Sequence, residues 1–124
     1  MTVNGAVVSG STTMNSPVAI IDSGTTQLVL TSSGLTGLVN ALISSGAVTF
    51  NGVPQSEQNG FWAGETTILS SYITLDTSVT ITIDFQGTDG STASIPIPIT
   101  NLCPTDSASN MVGFMVCESA HLTL

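Results

Sequence analysis

The sequence predicts a mostly β fold, a single domain over residues 1–124 with one or two short helices, and three observations lead to it. The first is period-two alternation. In "SVTITIDF", residues 78–85, Val79, Ile81, Ile83 and Phe85 point one way and Thr80, Thr82 and Asp84 the other. The second is the spacing of short apolar runs between Gly, Asn, Asp and Ser clusters, which are turn formers. The third is size and hydropathy. The chain has 124 residues, 41% of them hydrophobic, which suffices for one folded core but not for a second independent one.

Taken in order, residues 3–8 (VNGAVV), 18–22 (VAIID), 27–30 (QLVL) and 47–50 (AVTF) read as strands. Between the last two lies "SSGLTGLVNALISSG", where Leu35, Leu38, Val39 and Leu42 recur at i, i+3, i+4 and i+7, the spacing of a helix face. Thr31, Ser32 or Ser33 supplies the N-cap and Gly46 the stop, while Gly34 and Gly37 each weaken the helix by about 1 kcal/mol relative to Ala. Residues 51–60 and 104–110 read as surface loops. The strand at 78–85 turns through "QGTDGS" into "ASIPIPI", a hairpin partner whose Pro96 and Pro98 cannot donate to a ladder and so place it at a sheet edge.

Charge narrows the function classes. The chain has no Lys or Arg and eight acidic residues, for a net charge of −8. Nothing in it neutralises phosphate, so neither a nucleic acid nor an anionic membrane surface is an expected partner. No run approaches the roughly 18 apolar residues of a membrane span. Protonation of its carboxylates near pH ~4 leaves such a chain almost neutral rather than strongly cationic. That suits an extracellular or an acidic vacuolar or lysosomal compartment. Cys103 and Cys117, with His121 as the lone histidine, are too few for a metal site, and no cofactor is expected. In an exported protein the two cysteines are expected to form a disulfide, adding about 3 kcal/mol in the chain-entropy view, with free thiols as the alternative.

The segment "AIIDSGTTQLVLT", residues 19–31, carries the chemistry. Asp22 interrupts two apolar runs, and a carboxylate among core strands is costly unless hydrogen bonds satisfy it. The residues after it offer donors: the Ser23 and Thr25 hydroxyls, and a backbone N–H that Gly24 lets approach closely. Such a nest holds a carboxylate ionised or lets it share a proton with a neighbour. The plain alternative is an Asx-turn, which an Asp-Ser-Gly sequence commonly makes.

Hydrophobic-hydrophobic-Asp-Ser-Gly-Thr-Thr, then a strand and a helix, resembles the active-site segment of pepsin-like aspartic proteases, most closely that of the second lobe. "TVNGAVV" before it resembles the family's preceding hairpin, and "LDTSVTITIDFQGTDGSTASIPI" the hairpin after the helix. The resemblance implies one lobe of such a protease, a double-psi-type β-barrel or sandwich. It implies that Asp22 is one of two catalytic aspartates and that the Ser23 hydroxyl braces the two active-site loops. Gly24 would lie beside the carboxylates, Thr25 would hydrogen-bond the outer oxygen of Asp22, and Thr26 would contact the substrate backbone. In the family, two such carboxylates share one proton, one acting as base on a water and the other donating to the scissile carbonyl.

The chain has a single Asp-Ser-Gly. The expected partners are therefore a protein or peptide substrate and either a first lobe outside this sequence or a second copy of the chain. "NGFWAGET", 59–66, is the sole candidate for a substrate-covering flap in such a homodimer, and Tyr72 has no flap-like context. The expected final hydrophobic-hydrophobic-Gly segment is lacking after "SAHLTL", and Val112-Gly113-Phe114 fits an earlier strand better, so the chain reads as a truncated lobe or a fragment. Asp76 is expected to open a strand, Asp84 to face outward in one, Asp89 to lie in a turn and Asp106 in a loop, all in solvated or turn roles; Glu57, Glu65 and Glu118 are expected at the surface, and His121 at a rim or strand end. Alone, the chain is expected to show little or no proteolysis. The competing readings are a β-rich secreted binding or adhesion module in which Asp22 is a turn residue, and a catalytically dead peptidase-like lobe.

Overall fold

The computed structural model describes residues 1–9, 27–87 and 89–118. The chain opens with Thr2–Val3 (β1) and Ala6–Val7 (β2), an antiparallel pair closed by Asn4 and Gly5. Both turn residues have positive φ, 49° and 80°, the signature of the two-residue Asn-Gly hairpin. The expected single strand over 3–8 is therefore a hairpin.

After Leu28–Leu30 (β3) comes Ser32–Ser44 (α1), the helix that the apolar spacing predicts. The Thr31 side chain accepts from the Gly34 N–H at 3.1 Å, and Gly46, at φ 76°, takes the left-handed position just beyond the C-cap Ser45. Its buried stripe is not centred where the leucines alone place it. Gly34, Gly37, Leu38 and Leu42 are buried, while Leu35 and Val39 are half-buried. The glycines are contact residues: a Cβ on Gly37 would lie 1.7 Å from the Ser9 carbonyl oxygen.

Val48–Phe50 (β4) pairs antiparallel with Ile73–Leu75 (β6). Between them the sequence reading of 51–60 as a loop fails, because Gln55–Trp62 forms a helix (α2). Pro54 takes its N-cap position, Glu57 sits in its first turn, and Gln55 donates to Asn59 one turn on. The polar residues concealed the packing that holds it. Phe61 is fully buried and meets Phe50, Trp62 and Phe114 with ring centroids 5.0–5.8 Å apart. Residues 59–62 of the flap candidate are thus the end of a core-anchored helix.

Ile68–Leu69 (β5) precedes a single 3-10 turn at Ser70–Tyr72. Ile81–Gln86 (β7) and Thr92–Pro96 (β8) form the expected hairpin, Ile83 opposite Ile95. It joins β1 through Val3 and Ile81, giving a four-stranded sheet of order β2-β1-β7-β8 with β8 at the edge, where its proline requires it. Ile99–Leu102 is a short helix (α3). The expected loop at 104–110 contains Thr105–Asp106 (β9), which turns into Met111–Val112 (β10), and β10 lies between β5 and β9. Val116–Glu118 (β11) runs parallel to β3.

The result is a mostly β small domain of open sheets with three α-helices among the described residues, one more than expected. The buried residues of the sheets, α1, α2 and α3 belong to one hydrophobic cluster.

Candidate functional site

Asp22, Ser23, Gly24, Thr25 and Thr26 lie outside the described residues, as do the expected strand at 18–22 and His121. What the structure defines is the framework on the C-terminal side of that motif. β3 starts two residues after Thr26, and its first backbone N–H, that of Leu28, donates to the Met115 carbonyl at 2.9 Å. From there β3 and β11 pair in register, Leu28 with Val116, Val29 with Cys117 and Leu30 with Glu118. This is the single parallel pairing among the described strands.

Alternation sends Leu30 and Val116 into the core, 5% and 1% exposed, and leaves Val29 outward at 47%. One residue beyond β3, Thr31 caps α1, which packs against both strands. The stretch that follows the Asp-Ser-Gly-Thr-Thr sequence is therefore held by a ladder, a buried leucine and a capped helix. Such an anchorage fixes the position at which β3 begins.

Val112 lies in β10, as expected of an earlier strand, yet the chain needs only Gly113, Phe114 and Met115 to reach Leu28. Phe114 is buried against Phe61 and Trp62 on the way.

The described acids behave as expected of turn and surface groups. Asp76 follows β6 rather than opening a strand. It accepts from the Ser78 hydroxyl at 2.6 Å and the Ser78 N–H at 2.9 Å, and these bonds hold its carboxyl below the usual range. Asp89 is held low in the same way by Ser91. Asp84 accepts from the Ser94 hydroxyl on β8 at 2.5 Å and lies 3.7 Å from the amino terminus. Glu57, Glu65 and Glu118 are exposed.

The expected disulfide is not formed: Cys103 and Cys117 are free thiols. Cys103 is wholly buried beyond α3, within the same core that takes Val116, whereas strand alternation turns Cys117 to the opposite face of β11. Burial pushes the Cys103 thiol up to about 12. No group of three or more metal-ligating side chains exists among the described residues, and no described helix is long and apolar enough to cross a membrane.

Comparison with family models, with curated proteins and with solved structures gives no match for this chain.

Proposed function

We propose that this chain is one lobe of an acid-acting aspartic endopeptidase and that Asp22 supplies one of the two carboxylates of its catalytic dyad. One observation carries the reading: the motif Asp-Ser-Gly-Thr-Thr runs directly into β3 and the Thr31-capped α1. An isolated Asx-turn has no need of such a continuation. The parallel β11 adds support, because it ties the strand that follows the motif into the core.

In this reading the finer fold is the double-psi-type lobe of the pepsin-like proteases. Asp22 and its counterpart share one proton, and one of them deprotonates a water that attacks the peptide carbonyl while the other protonates the carbonyl oxygen. Ser23 ties the two loops together, Gly24 gives the backbone room beside the carboxylates, and Thr25 orients Asp22. Thr26 meets the substrate backbone. The counterpart comes from a first lobe or from a second copy. The second copy has less support, since residues 59–62 of its flap candidate end a helix that carries the buried Phe61. An extracellular or acidic vacuolar or lysosomal setting belongs to the same proposal.

The test is pepstatin binding combined with the full reading frame. A second Asp-[Ser/Thr]-Gly upstream, and pepstatin bound by the complete protein but not by its Asp22→Asn variant, is the expected result. A complete frame with no second such motif, in a chain that stays monomeric and binds no pepstatin, would move the protein to the non-catalytic binding class.

A further inference from the structure

Far from the motif in sequence, but joined by one hydrogen bond to β3, the strand that follows it, lies an open cleft of about 440 Å³ on the outer side of the β5-β10-β9 sheet. Its origin is legible in the strand register. Met111 pairs with Asp106 on one side and with Leu69 on the other, so Met111 and Asp106 share the face opposite to that of the buried Val112. The next position on that face is Gly113, which has no side chain to fill it, and after it comes Met115. Thr67 closes one wall. A Cβ on Gly113 would meet the Thr67 methyl at 3.7 Å and the Met115 methyl at 3.8 Å, ordinary contact distances, so the glycine leaves room for one methyl between them.

Asp106 stands at the rim with its carboxylate already oriented. One oxygen accepts from the Ala108 N–H at 3.1 Å and the other from the Ser109 hydroxyl at 2.9 Å, leaving lone pairs on both. The chain has no Lys or Arg of its own to pair with it. Among the described strands β9 is the edge of its sheet, where a further extended backbone can lie alongside.

We propose that this cleft takes the side chain of a Lys or Arg residue in an extended polypeptide. The aliphatic stem lies along Met111 and Met115 over Gly113, and the cationic head reaches Asp106. Methionine suits such a stem because its thioether adapts to different shapes, and long basic side chains lay apolar stems on apolar surface while keeping the charge in water. The Met115 carbonyl is the acceptor of the Leu28 N–H, so the cleft floor is fixed to the strand leaving the Asp22 motif. Binding at the cleft stands without the peptidase reading; only its use in selecting a substrate rests on it.

Methyl NMR of the chain with 13C-labelled methionine tests this. The probes are a capped pentapeptide with one central lysine and the same peptide with norleucine in its place. The lysine peptide is expected to shift the Met111 and Met115 methyls saturably and to bind at least about twofold more tightly than the norleucine peptide at low salt, an advantage that shrinks at high salt as expected for an exposed pair. Asp106→Asn should equalise the two peptides, and Gly113→Val, which fills the floor, should abolish the shifts from both. Equal affinity of the two peptides for the unmodified chain, or shifts that spare Met111 and Met115, would overturn the proposal. So would n-butylammonium binding as tightly as the lysine peptide, since a polypeptide would then not be the occupant. Lysine-selective binding in a protein that takes up no pepstatin keeps the cleft and removes the peptidase.

Discussion

Gly37 illustrates how a residue can contradict its own propensity. Within a helix it costs about 1 kcal/mol relative to Ala, and the sequence alone marks it as a weakness. In the structure it lets α1 lie directly on the backbone of Ser9, where an added methyl would sit 1.7 Å from a carbonyl oxygen. Gly37→Ala is therefore expected to destabilise the protein by ~2 kcal/mol or more, since strain against backbone outweighs the propensity gain; urea unfolding measures it, and an unchanged midpoint would mean that the helix does not rest on Ser9. Cys103 offers a second residue-level prediction. Its native thiol holds its proton up to about 12, whereas in the unfolded chain it ionises near the ordinary 9.0. Above that ordinary value the unfolded state binds fewer protons than the native one, so this group lowers stability progressively between the two values and has no effect below them. A thiol reagent at neutral pH should modify the partly exposed Cys117 and spare Cys103 until the protein unfolds; mass spectrometry of the labelled peptides reads the difference. The sequence could not separate these thiols, because tertiary packing beyond α3 buries Cys103 while strand alternation on β11 turns Cys117 away from that core.

Among the elements, legibility followed local signals. α1 was readable because its apolar period, its Thr31 cap and its Gly46 stop agree, and β7 and β8 because alternation and prolines agree. α2 was not, since Gln55, Ser56, Glu57, Gln58 and Asn59 show no apolar period and only Phe61 and Trp62 anchor it. That anchorage is tertiary, an aromatic cluster with Phe50 and Phe114 from elsewhere in the chain. The short β9 was likewise invisible in "PTDSASN", where its pairing with β10 is set by the Asp106 turn. The motif residues 22–26 themselves lie outside the described part, so the candidate site is read from the sequence alone and the structure contributes the anchorage of β3 after it. That anchorage depends on the start of α1. Thr31→Ala removes the hydrogen bond to the Gly34 N–H and should cost about 1 kcal/mol, read by thermal or denaturant unfolding, with Thr31→Ser losing much less.

For the molecule in its entirety, the charge balance and the proposed chemistry point the same way. A chain with eight acids and no Lys or Arg sheds its charge in acid instead of acquiring a large positive one. Asp76 and Asp89, held low by Ser78 and Ser91, keep their charge to lower pH than ordinary carboxylates. Their turns are stabilised above the ordinary carboxyl range and weaken only as the pH falls through the depressed values. The fold thus retains these two turns at pH ~4, where a shared-proton dyad is in its working protonation state. Peptide cleavage at pH ~4 by the complete protein, beside its Asp22→Asn variant and beside the present chain alone, bears most directly on the role of Asp22. Pepstatin-sensitive cleavage is expected from the complete protein, with loss of that cleavage to background in Asp22→Asn and little or none from the chain alone. Cleavage that survives Asp22→Asn undiminished would mean that Asp22 is not part of a catalytic dyad.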